Sequence, residues 1–398
     1  MSGFFKKQLF NLALLSSFTL LTLPASSGGN ILCKSRAKAK PEKTSCSDKA
    51  NLLQELPVDV KTFMTGWLFP SDMHRLAQCS TVSHLEAKRG LDQRKKLYKR
   101  ENEKLAKLRF TLLFKKDGKP SAFLNVYAQE KKIYVSAGSK GLLVSVDGGI
   151  TWQTMNHETR QGMSDGYFIM AYAQGEKIYV ATDRGLSISV DGGTIWRTEF
   201  QNGGLRDTSV HSTYAQGEKI YAATSRGLLI SVDGGATWQT KTMGQGLENC
   251  ILHAYAQGDK IYAVTAASEG LAISVDGGAS WQTKNQEQGL INFVKGVYAQ
   301  GDKTYAATAE GLSISIDGGT SWRTRLGSNN VKGVYAQGEK IYAATDGGLS
   351  ISVDGGISWQ TMTEEHGLKN TSLSSVYVQG NKIYVVGTEG LFVSLDPS

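Results

Sequence analysis

Seven aspartates occur in one repeated phrase, Ser-Val-Asp-Gly-Gly-x-x-Trp or a close variant of it. Carboxylates serve as catalytic acids, catalytic bases and metal ligands, so a catalytic or metal-binding role for this set must be considered first. Catalysis needs one asymmetric constellation, however, and these residues recur at steps of 44, 42, 43, 41, 37 and 42. The seven are Asp147, Asp191, Asp233, Asp276, Asp317, Asp354 and Asp396.

A structural role explains the phrase better than catalysis does. The aspartate carboxylate can accept backbone N–H bonds within its own turn, and the glycines permit a positive φ. The tryptophan is expected to pack over the resulting hairpin. We therefore predict a structural role for the first six aspartates and for the tryptophans that follow them, which are Trp152, Trp196, Trp238, Trp281, Trp322 and Trp359.

No other residues in the sequence form a recognisable reaction centre. The four cysteines include no Cys-x-x-Cys pair, and no histidine lies at metal-ligand spacing from them. A phosphate-binding loop and a nucleophile–base pair are also lacking in the sequence. We expect a binding protein rather than an enzyme, with no catalytic residue, no metal and no cofactor.

The aspartate phrase is the second half of a longer repeat, whose first half reads Tyr-Ala-Gln-Gly-Glu-Lys-Ile-Tyr. The third copy contains four strand-like segments, lettered a to d, at 211–216, 219–224, 228–232 and 238–241. Turn signals separate them, including the Asp-Gly hairpin signal between c and d. A period of about 42 residues with such segments is typical of radial repetition. We predict a mainly β protein, a seven-bladed β-propeller of four-stranded blades, preceded by a small three-helix segment.

The last repeat ends before its strand d is complete. Residues 110–114, Phe-Thr-Leu-Leu-Phe, form an unassigned strand-like run just before the first repeat. Because unpaired sheet edges are a liability, we predict that this run supplies the missing outer strand of the seventh blade and closes the ring.

Antiparallel topology assigns the connections of every blade to two opposite faces. The a–b and c–d turns, which are nearly uniform in sequence, form the "turn face", and the variable d–a and b–c connections form the "loop face". Variable loops on a uniform scaffold indicate a binding surface. We predict that the loop face recruits a partner protein; the alternative is that these loops drifted without selection. The candidate residues are Arg160, Phe168, Arg184, Arg206, His211, Arg226, Phe293 and His366.

The Ser-x-Asp-x-Gly-x-x-Trp phrase resembles the Asp-box, or BNR repeat, of sialidases, sortilin-type receptors and photosystem assembly factors. The copy with Ser231, Asp233, Gly235 and Trp238 shows the pattern in full. Sialidases need an arginine cluster and a Tyr/Glu pair in one pocket. The arginines here vary from blade to blade, which leaves a glycosidase as the weakest alternative.

Residues 52–100 have the apolar spacing of short helices. The segment resembles an F-box through Leu56-Pro57, the run 60–67, 68–72 and Cys79-Ser80, although the basic-Trp pair usual after this point is missing. The resemblance implies docking on a Skp-type adaptor of a cullin ubiquitin ligase, while the propeller holds a substrate protein. The adaptor-binding residues would be Leu56, Pro57, Val60, Phe63, Leu68, Met73 and Leu76. The alternative is a helical neck that packs on the propeller.

The amino-terminal third carries the positive charge of the chain. Residues 1–120 hold 23 Lys/Arg against 10 Asp/Glu, and the remainder holds 21 against 26. No aromatic residues lie among the lysines and arginine of residues 34–43, so we expect no nucleic-acid partner. Residues 1–28 have the charged start, apolar run and small residues of a secretory signal; if it were left uncleaved, this segment would be the one membrane contact. The expected domains are 1–28 signal or anchor, 29–51 basic linker, 52–100 F-box-like segment, 101–120 linker with the closing strand, and 121–398 propeller.

A secretory signal and a cytosolic ligase role conflict unless the chain is a bacterial effector exported into a host cell. The main alternative is an exported, periplasmic or extracellular propeller that assists assembly or binds a partner, without any ubiquitin-ligase role.

Overall fold

A computed structural model describes residues 84–115, 123–199, 208–242, 246–247, 250–266, 270–291, 293–327, 329–369 and 372–395. The expectations for residues 1–83, including the signal and the seven adaptor-binding residues, lie outside the described residues. So do Arg206 and Asp396.

The described chain forms seven separate antiparallel sheets of four strands each, as predicted. Blades 1 to 3 comprise, in the order a to d, β2 (Asn125–Gln129), β3 (Lys132–Ser136), β4 (Leu142–Ser145), β5 (Gln153–Met155), β6 (Phe168–Gln174), β7 (Lys177–Thr182), β8 (Gly185–Ser189), β9 (Arg197–Glu199), β10 (Val210–Gln216), β11 (Lys219–Thr224), β12 (Gly227–Ser231) and β13 (Gln239–Lys241).

Blades 4 to 6 repeat this plan, and blade 7 completes it with a strand from the start of the fold. Their strands, again in the order a to d, are β14 (Ile251–Gln257), β15 (Lys260–Thr265), β16 (Leu271–Ser274), β17 (Gln282–Lys284), β18 (Val294–Gln300), β19 (Lys303–Thr308), β20 (Gly311–Ser315), β21 (Arg323–Gly327), β22 (Val331–Gln337), β23 (Lys340–Thr345), β24 (Gly348–Ser352), β25 (Gln360–Met362), β26 (Leu373–Gln379), β27 (Lys382–Gly387), β28 (Gly390–Leu395) and β1 (Thr111–Lys115).

The core lies between adjacent blades. Strand b of each blade is buried on both faces, because the Lys-Ile-Tyr-Ala-Ala-Thr sequence puts Ile220 and Tyr221 toward opposite neighbours. One cluster thus joins Ile220 of blade 3 to Ile188 of blade 2, and another joins Tyr221 to Ile261 of blade 4. Burying each such side chain contributes about 1.5–3 kcal/mol. The tertiary contacts are therefore repeated from blade to blade, as the sequence is.

Ring closure occurs at the predicted place. Strand β1 pairs antiparallel with β28, and Leu112 lies opposite Phe392. The pairing is interrupted by an irregularity between Leu112 and Phe114. Just before this strand, the amide of Phe110 donates to the carbonyl of His366 at 2.7 Å. The fourth strand of blade 7 is thus β1, the first of the described strands. It spans residues 111–115, one residue later than the predicted 110–114.

One long helix, α1 (His84–Leu105), precedes the closing strand. It continues five residues beyond the expected boundary at residue 100. Tyr98, Leu105 and Leu108 pack into the core cluster of blades 6 and 7. Two short 3-10 helices, Gln286–Gln288 and Glu364–His366, lie in d–a connections. Across the described residues, no helix has the length and hydropathy that crossing a membrane requires.

Candidate functional site at the central channel

The repeated aspartates are tied into their own turns. In blade 5, Asp317 accepts bonds from the Ser315 hydroxyl at 2.7 Å, and from the backbone amide and hydroxyl of Ser321 at 2.9 and 2.5 Å. The amide of Gly319 donates to the Ser315 hydroxyl, and the Trp322 indole donates to the Gly319 carbonyl. The carboxylate therefore replaces a missing strand-pairing partner at the hairpin tip.

These hydrogen bonds also fix the ionisation of the carboxylates. The hydroxyl and amide of Thr237 hold the pKa of Asp233 at about 2. Donors in the corresponding turns lower the pKa of Asp147, Asp191 and Asp276. The oxygens of these carboxylates accept bonds within their own turns, which agrees with a structural role. In the described ranges, no group of three His, Cys, Asp or Glu side chains is placed to hold a metal ion.

Strand a of each blade lines the central channel, and its tyrosine forms part of a closed aromatic ring. Neighbouring ring centroids lie 4.6 to 5.1 Å apart for all seven pairs, including the pair that joins the first and last blades. The members of this "tyrosine ring" are Tyr127, Tyr172, Tyr214, Tyr255, Tyr298, Tyr335 and Tyr377.

The tyrosine ring lies near the turn-face end of the channel, because each tyrosine comes three residues before the a–b turn. Burial and the neighbouring phenols raise the pKa of Tyr127 and Tyr255 far above the usual value. The Tyr127 ring contacts both of its neighbours, Tyr377 and Tyr172, at centroid distances of 4.6 and 4.8 Å. The ring is therefore neutral and narrows the channel uniformly at this end.

A polar layer follows the tyrosine ring toward the loop face. Asn125 and Ser212 each accept a bond from the backbone of the next blade, at 3.3 Å from Ala171 and 3.0 Å from Ala254. At the same position His253 is partly buried, and desolvation lowers its pKa to about 4. Its Nδ1 meets no hydrogen-bond partner in the described part of the chain. A neutral imidazole thus lies unsatisfied beside the channel.

The residue at the loop-face end of strand a varies among the blades. It lies three residues before each ring tyrosine, and in six of the blades a bulge interrupts the pairing of strands a and b at this position and leaves the residue partly or fully exposed. We call this set the "mouth"; its members are Leu124, Ile169, His211, Leu252, Lys295, Lys332 and Ser374. Blades 1, 2 and 4 contribute apolar side chains, and blades 3, 5, 6 and 7 contribute polar ones.

Hydrogen bonds organise the polar half of the mouth. Asp346, in the b–c turn of blade 6, pairs with Lys332 at 2.6 Å and accepts bonds from Asn330 at 2.7 Å and Ser372 at 2.9 Å. These donors, Lys332 first, hold the pKa of Asp346 at about 2. Lys295 donates to the Asn330 amide oxygen at 2.5 Å. Because Asp346 neutralises Lys332, Lys295 adds the net positive charge at this end.

Phe293 and Lys295 stand together at the start of strand a in blade 5. The Phe293 side chain is 58% exposed, and its backbone has a φ of 58°. Non-glycine residues rarely adopt this left-handed conformation, and such strain concentrates at functional positions. The backbone therefore holds an aromatic side chain in solvent beside the mouth.

The predicted loop-face residues do not form one cluster. Phe168 is buried in the core between blades 1 and 2, so its assignment to the surface was wrong; as the first residue of β6 its side chain points between sheets. Arg160 and His366 lie in the first turns after strand d, at the periphery; His366 lies beside the closing strand. Arg184 and Arg226 are exposed in b–c turns, and Arg184 pairs with Asp165 at 2.6 Å. Of the candidates that the structure describes, His211 and Phe293 lie at or beside the mouth.

Sequence reasoning missed the tyrosine ring and most of the mouth. The tyrosines were used as markers of the repeat, and their identical position in strand a was the signal for a ring. Ile169, Leu252 and Lys332 occupy one register position that changes from repeat to repeat. Aligning the seven copies on the tyrosine would have exposed that position as one of the two most variable in strand a.

Comparison with known proteins places this architecture in a family. The family model described as outer membrane protein assembly factor BamB matches residues 139–290 and 276–398. The chain belongs to this family. A search of curated protein sequences finds no significant match.

Solved structures share the fold at low identity. YCF48 from Cyanidioschyzon merolae superposes with a TM-score of 0.55 and 14% identity, over 73% of this chain and 99% of that one. YCF48 bound to D1 peptide gives 0.56 and 17%, over 72% and 96%. The extracellular domain of BT3049 from B. thetaiotaomicron gives 0.61 and 16%, over 73% and 41%. A GH74 xyloglucanase from Xanthomonas campestris gives 0.54 and 15%, over 72% and 53%. Members of the BamB family and these propellers thus share the scaffold.

Proposed function

We propose that this protein is an exported, non-enzymatic propeller that binds a polypeptide segment of a partner at the mouth on its loop face, in support of assembly. The family name refers to outer membrane assembly, and one structure of similar fold holds a peptide. The secretory character of residues 1–28 supports a periplasmic or extracellular site of action.

One observation carries this proposal: the two ends of the channel differ in character. The turn-face end is a uniform ring of neutral tyrosines, whereas the mouth varies from blade to blade, with apolar side chains in blades 1, 2 and 4 and polar ones in blades 3, 5, 6 and 7. Apolar side chains beside hydrogen-bonding groups suit an extended polypeptide, which offers both side chains and backbone amides. The exposed aromatic Phe293 is the kind of residue that dominates such interfaces.

The described part of α1 supports the neck interpretation of the helical segment. Tyr98 and Leu105 are occupied by contacts with blades 6 and 7, and Gln360 donates to the carbonyl of Asn102 at 3.3 Å. None of the similar structures named above is described as an F-box protein or a Skp-type adaptor. We therefore propose that α1 fastens the amino-terminal segment to the propeller, and that no ubiquitin-ligase role follows.

A glycosidase function is not favoured, although the fold also occurs in a GH74 xyloglucanase. Glycoside hydrolysis generally uses two carboxyl groups that flank the scissile bond. None of the seven mouth positions is acidic, and the neighbouring Asp346 is ionised and occupied by Lys332, Asn330 and Ser372. We therefore propose binding rather than hydrolysis at this surface.

Peptide selection tests the binding proposal directly. A displayed random-peptide library would be panned against the full chain, and the selected peptides measured by fluorescence anisotropy. We expect Phe293→Ala and Leu252→Asp each to weaken binding at least about tenfold. Val190→Asp also places one aspartate at an exposed apolar position, but on the opposite face, and should change peptide binding by less than about twofold. Peptides that bind the wild type but ignore both mouth variants would contradict the proposal.

A further inference from the structure

Ion pairs link neighbouring blades on the turn face. The lysine that begins strand b pairs with the acidic residue in the a–b turn of the next blade. The N–O distances are 2.7 Å for Lys132–Glu176, 2.6 Å for Lys177–Glu218, 3.1 Å for Lys219–Asp259 and 2.8 Å for Lys303–Glu339. The pattern needs one lysine and one acid at every seam between blades.

Two consecutive seams lack the acid. The position is defined by its backbone carbonyl, which accepts from the Asp-Gly-Gly turn: Glu176 from Gly192, and Lys131 from Gly148, both at 2.9 Å. Blade 1 thus has Lys131 where the other blades have an acid, and blade 7 has Asn381. At the seam between blades 6 and 7, and at the seam between blades 7 and 1, the a–b turn therefore offers no acid to the lysine that begins strand b.

Helix α1 supplies what the first of these seams lacks. Glu101 lies 3.2 Å from Lys340 of blade 6, in place of an acid at position 381. The same helix covers Val353, which follows the serine of the Ser-Val-Asp phrase and is only 3% exposed. Tyr98, Glu101 and Leu105 lie at i, i+3 and i+7, which is one face of a helix. At this seam α1 thus supplies one carboxylate that pairs with the lysine and two side chains that pack in the cluster around Val353.

The apolar position that α1 covers in blade 6 is open in five other blades. The residue after the box serine is 61% exposed in blade 7 and 57–65% exposed in blades 1 to 4. These residues are Leu395, Val146, Val190, Val232 and Val275. Single exposed apolar residues are ordinary, but Leu395 stands beside an unmatched lysine, as Val353 stands beside Lys340.

The seam between blades 7 and 1 also forms a basic cleft. The cleft encloses about 340 Å³ and is lined by Lys107, Arg109, Lys382 and Leu395, with no acidic residue among its lining. Lys107 and Arg109 belong to the segment that leaves α1, so the cleft continues the interface that α1 makes with blade 6. No carboxylate of the described residues lies within ion-pair distance of Lys382 or Lys131.

We propose that the seam between blades 7 and 1 docks an acidic amphipathic helix of a partner protein, in the way that α1 docks on the preceding seam. A carboxylate of that helix pairs with Lys382 and Lys131, and an apolar side chain covers Leu395. Charge complementarity selects an acidic partner, because three cations line the cleft and Lys131 lies in the adjoining turn of blade 1. The neighbouring contact of α1 selects a helix, because it shows which element fits this part of the turn face.

A designed peptide provides the probe for this site. It is the 22-residue α1 sequence with its eight lysine and arginine residues replaced by glutamate, labelled with fluorescein, so that Tyr98, Glu101 and Leu105 keep their spacing. The probe would be titrated with the full chain and followed by anisotropy. The unaltered basic α1 sequence serves as the control peptide. We expect saturable binding of the acidic peptide and at least about tenfold weaker binding of the basic one.

Three variants decide whether the site is the proposed one. Lys131→Glu restores the regular pattern, so it should keep the fold, pair with Lys382 and weaken probe binding at least about tenfold. Lys219→Glu changes the lysine that corresponds to Lys382, at a seam that has its acid, and should leave binding within about twofold. Leu395→Gln should weaken binding several-fold. Unchanged binding in Lys131→Glu would overturn the proposal. Full displacement by millimolar inorganic phosphate, with no effect of Leu395→Gln, would instead indicate a simple anion site and overturn the docking of a helix.

Discussion

The ring centroids of Tyr127 and Tyr377 lie 4.6 Å apart, and this pair joins the first blade to the last. The two residues are separated by 250 positions in the sequence, yet their contact is as close as any between consecutive blades. The seam at which the ring closes is therefore continuous inside the channel as well as in the outer sheet.

The tyrosine ring should make the fold sensitive to alkali. Burial and the neighbouring phenols raise the pKa of Tyr127 and Tyr255, so the folded protein favours the protonated form. The stability from this source is complete below the unfolded value of about 10 and is lost as pH rises beyond it. Each phenol adds about 1.4 kcal/mol per pH unit to that loss. The Tyr127→Phe/Tyr255→Phe variant should lose stability less steeply in urea unfolding above pH 10. Ionisation of every phenol near pH 10 in the intact fold, seen by absorbance, would contradict this.

The closing segment should contribute a large share of the stability of blade 7. Phe110 is 6% exposed within the core cluster of blades 6 and 7, so Phe110→Ala should cost about 3–5 kcal/mol in urea unfolding. Leu112 lies in the adjacent strand but is 37% exposed, so Leu112→Ala is the control and should cost about 0.5 kcal/mol. Equal effects of the two variants would mean that the segment does not close the ring through its core contacts.

The serine of the Ser-Val-Asp phrase should matter more than its size suggests. The Ser231 hydroxyl is buried, accepts from the Gly235 amide at 2.8 Å and donates to Asp233 at 2.8 Å. Ser231→Ala leaves that amide without an acceptor, which should cost about 1–3 kcal/mol. Ser225→Ala, in the exposed b–c turn of the same blade, should stay within about 0.5 kcal/mol. Thermal unfolding of the two variants compares them, and a neutral Ser231→Ala would show that water replaces the hydroxyl.

The pairing of α1 with blade 6 should depend on residue 381. Hydrogen bonds from Lys104 and Lys340 outweigh the burial of Glu101 and lower its pKa. Glu101→Gln should cost about 0.5–1 kcal/mol. In an Asn381→Glu background Lys340 gains a partner in the next turn, so the same change should cost less. A double-mutant cycle by chemical unfolding measures this difference, and identical costs in both backgrounds would show that the two acids do not compete for Lys340.

The sequence alone determined the blades. Each repeat carries its own turn chemistry, with Asp-Gly hairpins, glycines at positive φ and alternating apolar residues, and these are local properties that neighbouring residues decide. Even the closing strand was identifiable, because a repeat without strand d and a spare run at 110–114 have one economical solution. Counting the strand-like segments was enough to predict that this run completes the last blade.

The tertiary structure alone decided which side chains meet. In the sequence, Phe168 follows a variable connection, so a surface position was expected. Its register in β6 instead directs its side chain into the core between two blades. The mouth positions Ile169, Leu252 and Lys332 lie far apart in the chain and converge because seven strands surround one axis. Glu101 replaces a turn acid of a distant blade for the same reason. Contacts of this kind depend on the curvature of the ring. That curvature is the sum of the small rotations between neighbouring blades, and no single repeat determines it.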